Sequence, residues 1–334
     1  MNVAATVGIN IVTFLRPEQW PAFKSIIDTV IREKRVKKYI LVVSAEDESS
    51  YDISIFSKMY KEKLIVIDGS ELTQAKLFGA AFDELRKHPT DYVAILDDES
   101  MPEENWINNF LDNLKFFKPE ERGKIIMIGN TVDIFNREQS YYSTSDRKKF
   151  RDGTLFDILS IRKLATILKH FLRLGSPSHH LPVFRTSAYI GGGVLIPFLA
   201  IKNGDTPDES LVMFGVDTEY AWKLGERSYS FFACSQPVFR KPSSDNKKEN
   251  HVFGIFNPLT KDTDVYYHVR NAVYISRKHT YQNSLTLFLN IAARTTVVCL
   301  MGLIQAPTFT LMFKRITLLL KASWDGYTKS VSDR

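Results

Sequence analysis

The chain has 334 residues, of which 44% are hydrophobic and 25% charged, and this composition excludes a disordered, collagen-like or coiled-coil protein. Its two cysteines cannot build a disulfide framework or a zinc site by themselves, so we expect a reducing compartment and chemistry that depends on carboxylates, histidines or hydroxyls. The net charge of +6 allows an anionic membrane surface or a phosphorylated substrate as partner, whereas the lack of zinc-finger spacing, an RNP aromatic block and an Arg-rich tail argues against nucleic acid.

Through the first 130 residues, short apolar runs alternate with amphipathic segments. The runs are rich in Val and Ile, as in buried parallel strands, and the segments have helical spacing, with Pro17 and Pro102 placed at helix starts. This alternation predicts an α/β domain with a mostly parallel, Rossmann-like sheet, whose ligands bind beyond the carboxyl ends of the strands. The predicted strands are Val7–Phe14, Tyr39–Ser44, Leu64–Asp68, Tyr92–Asp97 and Ile125–Gly129, and the predicted helices are Glu18–Lys34, Tyr51–Lys61, Glu71–Lys87 and Glu103–Phe117.

Residues 137–182 interrupt this alternation. A segment of this length inside an α/β domain is usually a lid, a binding element or a mobile loop, so we predict an insertion here. It holds an amphipathic basic stretch, Phe156–Leu174, and ends in the pair His179-His180, for which a surface loop is favoured over a metal site. A second block with a glycine turn at residues 191–193 follows it.

Three consecutive acids, Asp97, Asp98 and Glu99, follow the predicted strand that begins at Tyr92. Adjacent carboxylates repel one another, so a hard cation such as Mg²⁺ or Mn²⁺, which also bridges to phosphates, is a natural partner. The i, i+2 spacing points Asp97 and Glu99 to one side and makes them the main predicted ligands. The alternative is a solvated acidic turn whose charges favour the dipole of the next helix.

Two later segments also combine functional side-chain types. Asp217 and Glu219 stand at the start of a predicted helix, where a capping role alone would explain them. If Asp217 begins this helix, the amides of the first turn are expected to keep it ionised. His268 and Arg270 lie among aromatic residues on a third segment, for which core packing with a buried salt bridge is the alternative.

Taken in this order, the three segments resemble the family-2 inverting glycosyltransferases of the GT-A fold. They are similar in particular to the bacterial members that add rhamnose or galactofuranose during the assembly of surface polysaccharides such as O-antigen or capsule. The residues Tyr266-Tyr267-His268-Val269-Arg270-Asn271 resemble the family's Tyr-Tyr-x-x-Arg-Asn signature, and residues 97–99 resemble its Asp-x-Asp motif. The resemblance covers most of the chain and implies transfer of a sugar from a UDP- or dTDP-linked donor to a hydroxyl of a glycan acceptor, with inversion.

The resemblance also implies roles for single residues. Asp217 would be the catalytic base, and Mg²⁺ or Mn²⁺ would be held by Asp97, Asp98 and Glu99, with His268 as a weaker candidate. The family has a histidine after the strand that follows the base helix; here Arg240 stands in that place, so His251 or His268 would replace it or Arg240 would neutralise the diphosphate directly. The implied acceptor contacts are Glu219, Gly192, Gly193 and Trp222, and the implied donor contacts are Thr13, Phe14, Arg16, Ser44, Asp68, Lys76, Asp97, Asp98 and Arg270.

The C-terminal segment, residues 284–334, is mostly apolar but carries spaced basic residues. Ser284–Ile304 is nearly long enough to span a bilayer, but Arg294 in its middle would be costly there. Helices lying in the plane of an anionic membrane therefore fit better, and a helical pair packed on the catalytic core is the alternative. We predict a GT-A catalytic domain over residues 1–283, a helical tail over residues 284–334 and, since the N terminus has no signal-peptide pattern, a cytoplasmic enzyme peripheral to the inner face of the cell membrane with a lipid-linked acceptor.

Two other functions stay open at this point. A nucleotidylyltransferase also joins such a sheet to acidic metal ligands, but residues 13–18 have no glycine for its phosphate loop. A membrane-docked scaffold without catalysis is the non-enzymatic alternative, against which the acids and Asp217 argue. The oligomeric state is left open.

Overall fold

The computed structural model describes residues 7–15, 27, 30–31, 33–43, 58, 60–69, 72–96, 101–103, 105–132, 183–186, 193–203, 206–240, 254–280 and 283–328. The chain divides into two compact units. The first unit comprises residues 1–143, 179–209 and 216–245, and the second comprises residues 144–178, 210–215 and 246–334. Residues 246–283, which the sequence analysis grouped with the catalytic domain, thus cluster with the C-terminal helices; the predicted insertion at 137–182 lies outside the described residues.

The described residues of the first unit form one sheet of nine strands. Its order is β3-β2-β1-β4-β8-β6-β9-β5, and β7 pairs with β9. The strands β1 to β4 are mutually parallel where they pair, β6 is parallel to β9, and β5, β7 and β8 run antiparallel to their neighbours. The bounds are β1 Ile9–Leu15, β2 Val36–Val43, β3 Leu64–Asp68, β4 Tyr92–Leu96, β5 Met101–Pro102, β6 Ile125–Val132, β7 Val183–Arg185, β8 Val194–Pro197 and β9 Ser230–Arg240.

This mostly parallel α/β architecture confirms the predicted fold class. The five predicted strands are all present, with ends within three residues of the prediction. The central strands are buried almost throughout, because a parallel sheet is covered on both faces. The carboxyl ends of β3, β2, β1 and β4 lie side by side, since Asp68 pairs with Val43, Val43 with Leu15, and Thr13 with Leu96.

Two of the predicted helices, Glu71–Lys87 and Glu103–Phe117, are present in shortened form, whereas the predicted helix Tyr51–Lys61 lies almost wholly outside the described residues. The helices described in the first unit are α1 Gln74–Lys87, α2 Trp106–Leu114, α3 Pro119–Arg122, α4 Phe198–Lys202 and α5 Val216–Glu226. Ile27, Val30 and Ile31, which fall in the predicted helix Glu18–Lys34, are helical and buried.

The predicted helix start at Pro102 is wrong. Pro102 lies in the short strand β5, which pairs antiparallel with Phe239 and Arg240 at the edge of the sheet, and α2 begins only at Trp106. An edge strand tolerates proline because the missing N–H is not needed by a further strand.

The second unit is helical in its described residues. It contains a 3₁₀ turn at Gly254–Phe256, α6 Asp262–Ile275 continued by a π turn at Ser276–Thr280, α7 Ser284–Gln305 and α8 Phe309–Thr328. Its core joins Val265 and Val269 of α6 to Val298 of α7 and to Met312 and Leu319 of α8. The two C-terminal helices therefore pack against α6 within the second unit.

The other face of this helical pair is unusual. On α7 the buried face includes Asn290 and Arg294, whereas Phe288, Leu300 and Leu303 are exposed. On α8 the buried face includes polar side chains in the same way, and the exposed large apolar side chains are Phe309, Phe313, Leu320 and Trp324. Both helices thus bury some polar side chains together with their apolar core residues, and they also expose several large apolar side chains. Within the described residues, no helix has the length and apolar character needed to cross a bilayer.

Candidate active site

The carboxyl edge of the parallel strands collects the predicted donor contacts. Asp68 ends β3 and is exposed at this edge. Arg16, Ser44 and Asp97 follow directly on the last residues of β1, β2 and β4, and Asp98 and Glu99 come next, but these five lie outside the described residues. The topology therefore brings the strand ends together, while the side-chain positions of these donor and metal candidates stay predictions.

Thr13 does not lie where the donor contact requires it. Its side chain is completely buried, and its hydroxyl is hydrogen bonded to the Tyr39 hydroxyl at 2.9 Å. Burial raises the pKa of Tyr39 well above its ordinary value, and the hydrogen bond from Thr13 only partly opposes this, so the phenol stays protonated. The structure therefore corrects the prediction for Thr13, because it joins β1 to β2 inside the core.

A row of aromatic rings leads from this edge to the helix that carries Asp217. Phe14, next to last in β1, stacks on Phe78 of α1 with ring centroids 4.2 Å apart. Phe78 contacts Phe82 at 5.9 Å, and Phe82 contacts Tyr220 of α5 at 5.1 Å. All four rings belong to the first unit, so the end of β1 and the first turns of α5 are linked by continuous packing. Lys76, in the first turn of α1, is exposed beside this row and free to meet a ligand in solution.

Asp217 is the second residue of α5 and is partly buried. Burial raises the pKa of its carboxyl group, and the hydrogen bonds from the Thr218 and Asp217 amides and the Thr218 hydroxyl only partly oppose this effect. The first-turn amides therefore act in the predicted direction, but burial outweighs them. A raised pKa brings a carboxylate closer to the range in which it accepts a proton readily.

Glu219, two residues further along α5, has no exposed surface. Its Oε2 accepts a hydrogen bond from the Asp208 amide at 3.0 Å, and its Oε1 pairs with Lys223 Nζ at 3.2 Å. Lys223 in turn donates to the Thr206 carbonyl at 2.9 Å. The predicted acceptor contact is not available to a carboxylate in this environment, and we assign Glu219 to holding residues 206–208 on α5. The i, i+4 spacing of Glu219 and Lys223 was the signal for this pair in the sequence.

Gly193 owes its place to packing. Its φ of +106° is disfavoured for other residues, and a Cβ there would lie 2.3 Å from the Phe239 ring. The Gly193 carbonyl also accepts a hydrogen bond from the Gly129 amide at 2.9 Å. Of the other predicted acceptor contacts, Trp222 is partly exposed on α5 and Gly192 lies outside the described residues.

The Tyr-Tyr-x-x-Arg-Asn segment forms the middle of α6 in the second unit. The Tyr266 hydroxyl donates to Asp325 Oδ2 of α8 at 2.6 Å, and the Arg270 guanidinium lies 5.7 Å from the Tyr267 ring centroid. Arg270 is partly exposed, as a phosphate contact requires.

Asn271 is a residue whose role the sequence analysis missed. It is buried, and its side-chain amide donates to the carbonyls of Met213 and Phe214, at 3.0 Å for the latter. These carbonyls lie in a segment with left-handed backbone, φ +57° at Phe214 and +81° at Gly215, which immediately precedes α5 in the chain. The signature supplied the signal, but only the fold shows which backbone Asn271 holds.

His268, Arg240 and His251 are the remaining candidates for the metal or the diphosphate. His268 is exposed on α6 with its ring edge-on to Phe214, and partial burial together with the Arg294 charge lowers the pKa of the imidazole. A neutral imidazole is suited to metal binding, but the described residues contain no cluster of three or more potential ligands, around His268 or elsewhere. Arg240 is the last residue of β9, the strand after α5, and its predicted role at the diphosphate stays a prediction. His251 lies outside the described part of the chain.

No protein-family model matches the chain, and no curated protein matches it. Among solved structures, the chain is similar to GalNAc-T7 crystallised with UDP, GalNAc and Mn²⁺, with a TM-score of 0.51 and 12% identity over 81% of this chain and 48% of that chain. Residues 1–349 of Staphylococcus aureus TarS align over 95% of this chain and 90% of theirs, with 6% identity and a TM-score of 0.49. The Pyrobaculum calidifontis mannosyltransferase PcManGT, in complex with GDP-Man and Mn²⁺, aligns over 96% of this chain and 87% of its own, with 12% identity and a TM-score of 0.45.

The chain thus spans about half the length of the GalNAc-T7 chain that it matches. At this identity the likeness establishes the fold alone. Together with the strand order, it confirms the predicted GT-A fold, a Rossmann-like sheet with helices on its faces and helices at the C terminus.

Proposed function

We propose that the protein is an inverting glycosyltransferase that uses a nucleotide-diphospho-sugar. The observation that carries this proposal is the placement of Asp217 in the first turn of α5, which the aromatic row joins to the carboxyl end of β1 in a sheet of GT-A order. Ligands of such sheets lie at that edge, so a donor there and a base on α5 would border one cleft of the first unit.

Asp217 is the base of the proposed reaction. Its carboxylate takes the proton from an acceptor hydroxyl as that oxygen attacks the anomeric carbon from the face opposite the diphosphate. The bond from the anomeric carbon to the diphosphate oxygen then breaks, and the nucleoside diphosphate leaves with the bonding electron pair.

The acids 97–99 have the hard oxygen donors that Mg²⁺ and Mn²⁺ prefer, so Asp97 and Glu99, with Asp98, are the residues that would hold a cation. When bound, it neutralises charge on the leaving diphosphate. On the donor side, the proposed contacts in the first unit are Phe14, Asp68 and Lys76.

We also propose that the enzyme works on a lipid-linked glycan at the inner face of the cell membrane, in surface-polysaccharide synthesis with rhamnose or galactofuranose as the sugar. The outward apolar face of α7 and α8 supports this location. An exposed apolar surface of this kind usually marks a membrane or partner contact.

The test replaces Asp217 with asparagine, which keeps size and removes the basic oxygen. Asp217→Asn should lower transfer by about 10²-fold or more, the usual weight of a positioned base, while donor binding persists. Asp264→Asn, also in the first turn of a helix, is the matched control and should transfer at the wild-type rate. Sugar transfer at the normal rate by Asp217→Asn would refute the role of Asp217 as the base. If the wild type binds the donor but transfers no sugar, the membrane-docked scaffold without catalysis is favoured.

A further inference from the structure

A groove runs between α7 and α8 of the second unit. It has a volume of about 340 Å³, at the lower end of the size of small-ligand sites. Cys299, Leu300 and Leu303 line it from α7, and Met312 and Leu320 line it from α8.

The walls of this groove present mainly carbon atoms to a ligand; the polar residues that line it are Thr295 and Thr296. Thr296, which also lines it, donates its hydroxyl to the Ala292 carbonyl of its own helix at 3.0 Å, so that the hydroxyl is already satisfied. Leu300, Leu303 and Leu320 are exposed and belong to the outward apolar face of the helical pair. The groove is therefore continuous with that face.

The charges of the helical pair favour an anionic ligand. Helix α7 has no acidic residue, and the one acid of α8, Asp325, is buried beside Tyr266. Lys321, next to the groove residue Leu320, is exposed. Lys321 is not itself a lining residue, but a ligand with a hydrocarbon chain and a phosphate would meet apolar walls in the groove and an exposed cation elsewhere on α8, with no exposed carboxylate of either helix to repel it.

We propose that this groove binds the single hydrocarbon chain of the lipid phosphate that carries the acceptor glycan. The inference rests on the proposed function, which supplies a lipid-linked acceptor. The volume suits part of one hydrocarbon chain. The acceptor lipid phosphate, unlike a zwitterionic phospholipid such as phosphatidylcholine, also carries the net negative charge that the basic residues of α8 favour, and we therefore assign the groove to the acceptor lipid.

The chain contains its own reporter for this site. Cys299 lines the groove, whereas Cys234, the other cysteine, is completely buried in the first unit. Burial raises the pKa of both thiols, that of Cys234 to about 12, and only Cys299 is also partly exposed to an alkylating reagent. Alkylation of the native full chain by N-ethylmaleimide, followed by peptide mass spectrometry, therefore measures access to the groove at Cys299.

The probe is farnesyl monophosphate, kept below its micelle concentration. It should slow alkylation of Cys299 by about tenfold when present at about ten times its Kd, since only the free groove reacts. Inorganic phosphate should give no protection, because it has no chain. Unchanged alkylation in saturating farnesyl monophosphate would overturn the proposal, as would equal protection by phosphatidylcholine vesicles, which would assign the surface to the bulk bilayer.

Two matched variants locate the protection. Leu303→Arg places a charge in the groove and should abolish protection by farnesyl monophosphate, whereas Leu289→Arg, on the same helix and outside the groove lining, should retain it. The two leucines are 63% and 50% exposed, so neither change disturbs the packed core. Equal protection in both variants would contradict the groove.

A transfer assay on the same samples separates this inference from the proposed function. If Cys299 is protected but no nucleotide-sugar supports transfer, lipid binding in the groove is supported and the glycosyltransferase proposal is refuted. If sugar is transferred to a lipid-linked acceptor but Cys299 is not protected, the glycosyltransferase proposal is supported and lipid binding in the groove is refuted.

Discussion

The sequence predicts an acceptor contact for Gly193, whereas the structure gives it a role in packing. The variant Gly193→Ala tests which of these two roles is correct. A φ of +106° with a Cβ is expected to cost about 1–2 kcal/mol in backbone strain. The Cβ would also lie 2.3 Å from the Phe239 ring, and overpacking of this kind typically costs about 1–3 kcal/mol. The free energy of unfolding of the first unit should therefore fall by about 2–5 kcal/mol.

Urea unfolding followed by tryptophan fluorescence measures this loss, because Trp106 lies 5.7 Å from Phe239. The matched control is Gly79→Ala in α1, where a Cβ meets no atom within 4 Å and should stabilise the helix by about 0.5–1 kcal/mol. Adding Phe239→Leu to Gly193→Ala should recover part of the overpacking cost. If Gly193→Ala unfolds like the wild type but loses transfer, the packing argument is refuted and the predicted acceptor contact is favoured.

Three further predictions follow from single side chains. Asp217→Asn should raise the free energy of unfolding above about pH 4, where the carboxyl of the unfolded chain ionises. This stabilisation should grow with pH until the pH passes the raised pKa of the native carboxyl. Urea unfolding at several pH values measures it, and a stabilisation that shrinks with rising pH would show that the native pKa is lowered instead. Asn271→Ala should lower the free energy of unfolding by about 2–3 kcal/mol, because two backbone carbonyls before α5 lose their hydrogen bonds; a change below about 0.5 kcal/mol in denaturant unfolding would show that water replaces the amide. Phe313→Glu should weaken sedimentation with anionic vesicles, whereas Phe116→Glu, equally exposed in the first unit, should not; the same loss in both variants would exclude α8 as the contact.

Local sequence is sufficient to predict the bounds of a strand and the unsuitability of Arg294 for the middle of a bilayer. The predicted bounds of Leu64–Asp68 are those of β3, because a run this short and rich in Val, Ile and Leu between polar turns favours a strand. Arg294 was also judged too costly for the middle of a bilayer, and the structure buries it within the protein.

The errors arose where a distant contact decides the outcome. Thr13 faces Tyr39 across two strands, and nothing near Thr13 in the sequence announces that partner. Gly193 is fixed by Phe239, which is remote in the chain, and the burial that raises the pKa of Asp217 depends on packing rather than on helix position. Pro102 carries the usual mark of a helix start, but pairing with β9 overrides it.

The most direct test of the central claim is an acceptor-dependent assay of nucleoside diphosphate release by the full chain. UDP- and dTDP-linked sugars are each supplied with Mg²⁺ or Mn²⁺ and a prenyl-linked glycan, and NMR gives the anomeric configuration of the product. We expect one donor class to release its nucleoside diphosphate only when the acceptor is present, with a product of inverted configuration. A retained configuration, or release of pyrophosphate from a nucleoside triphosphate and a sugar phosphate with no transfer to the glycan, would contradict the account.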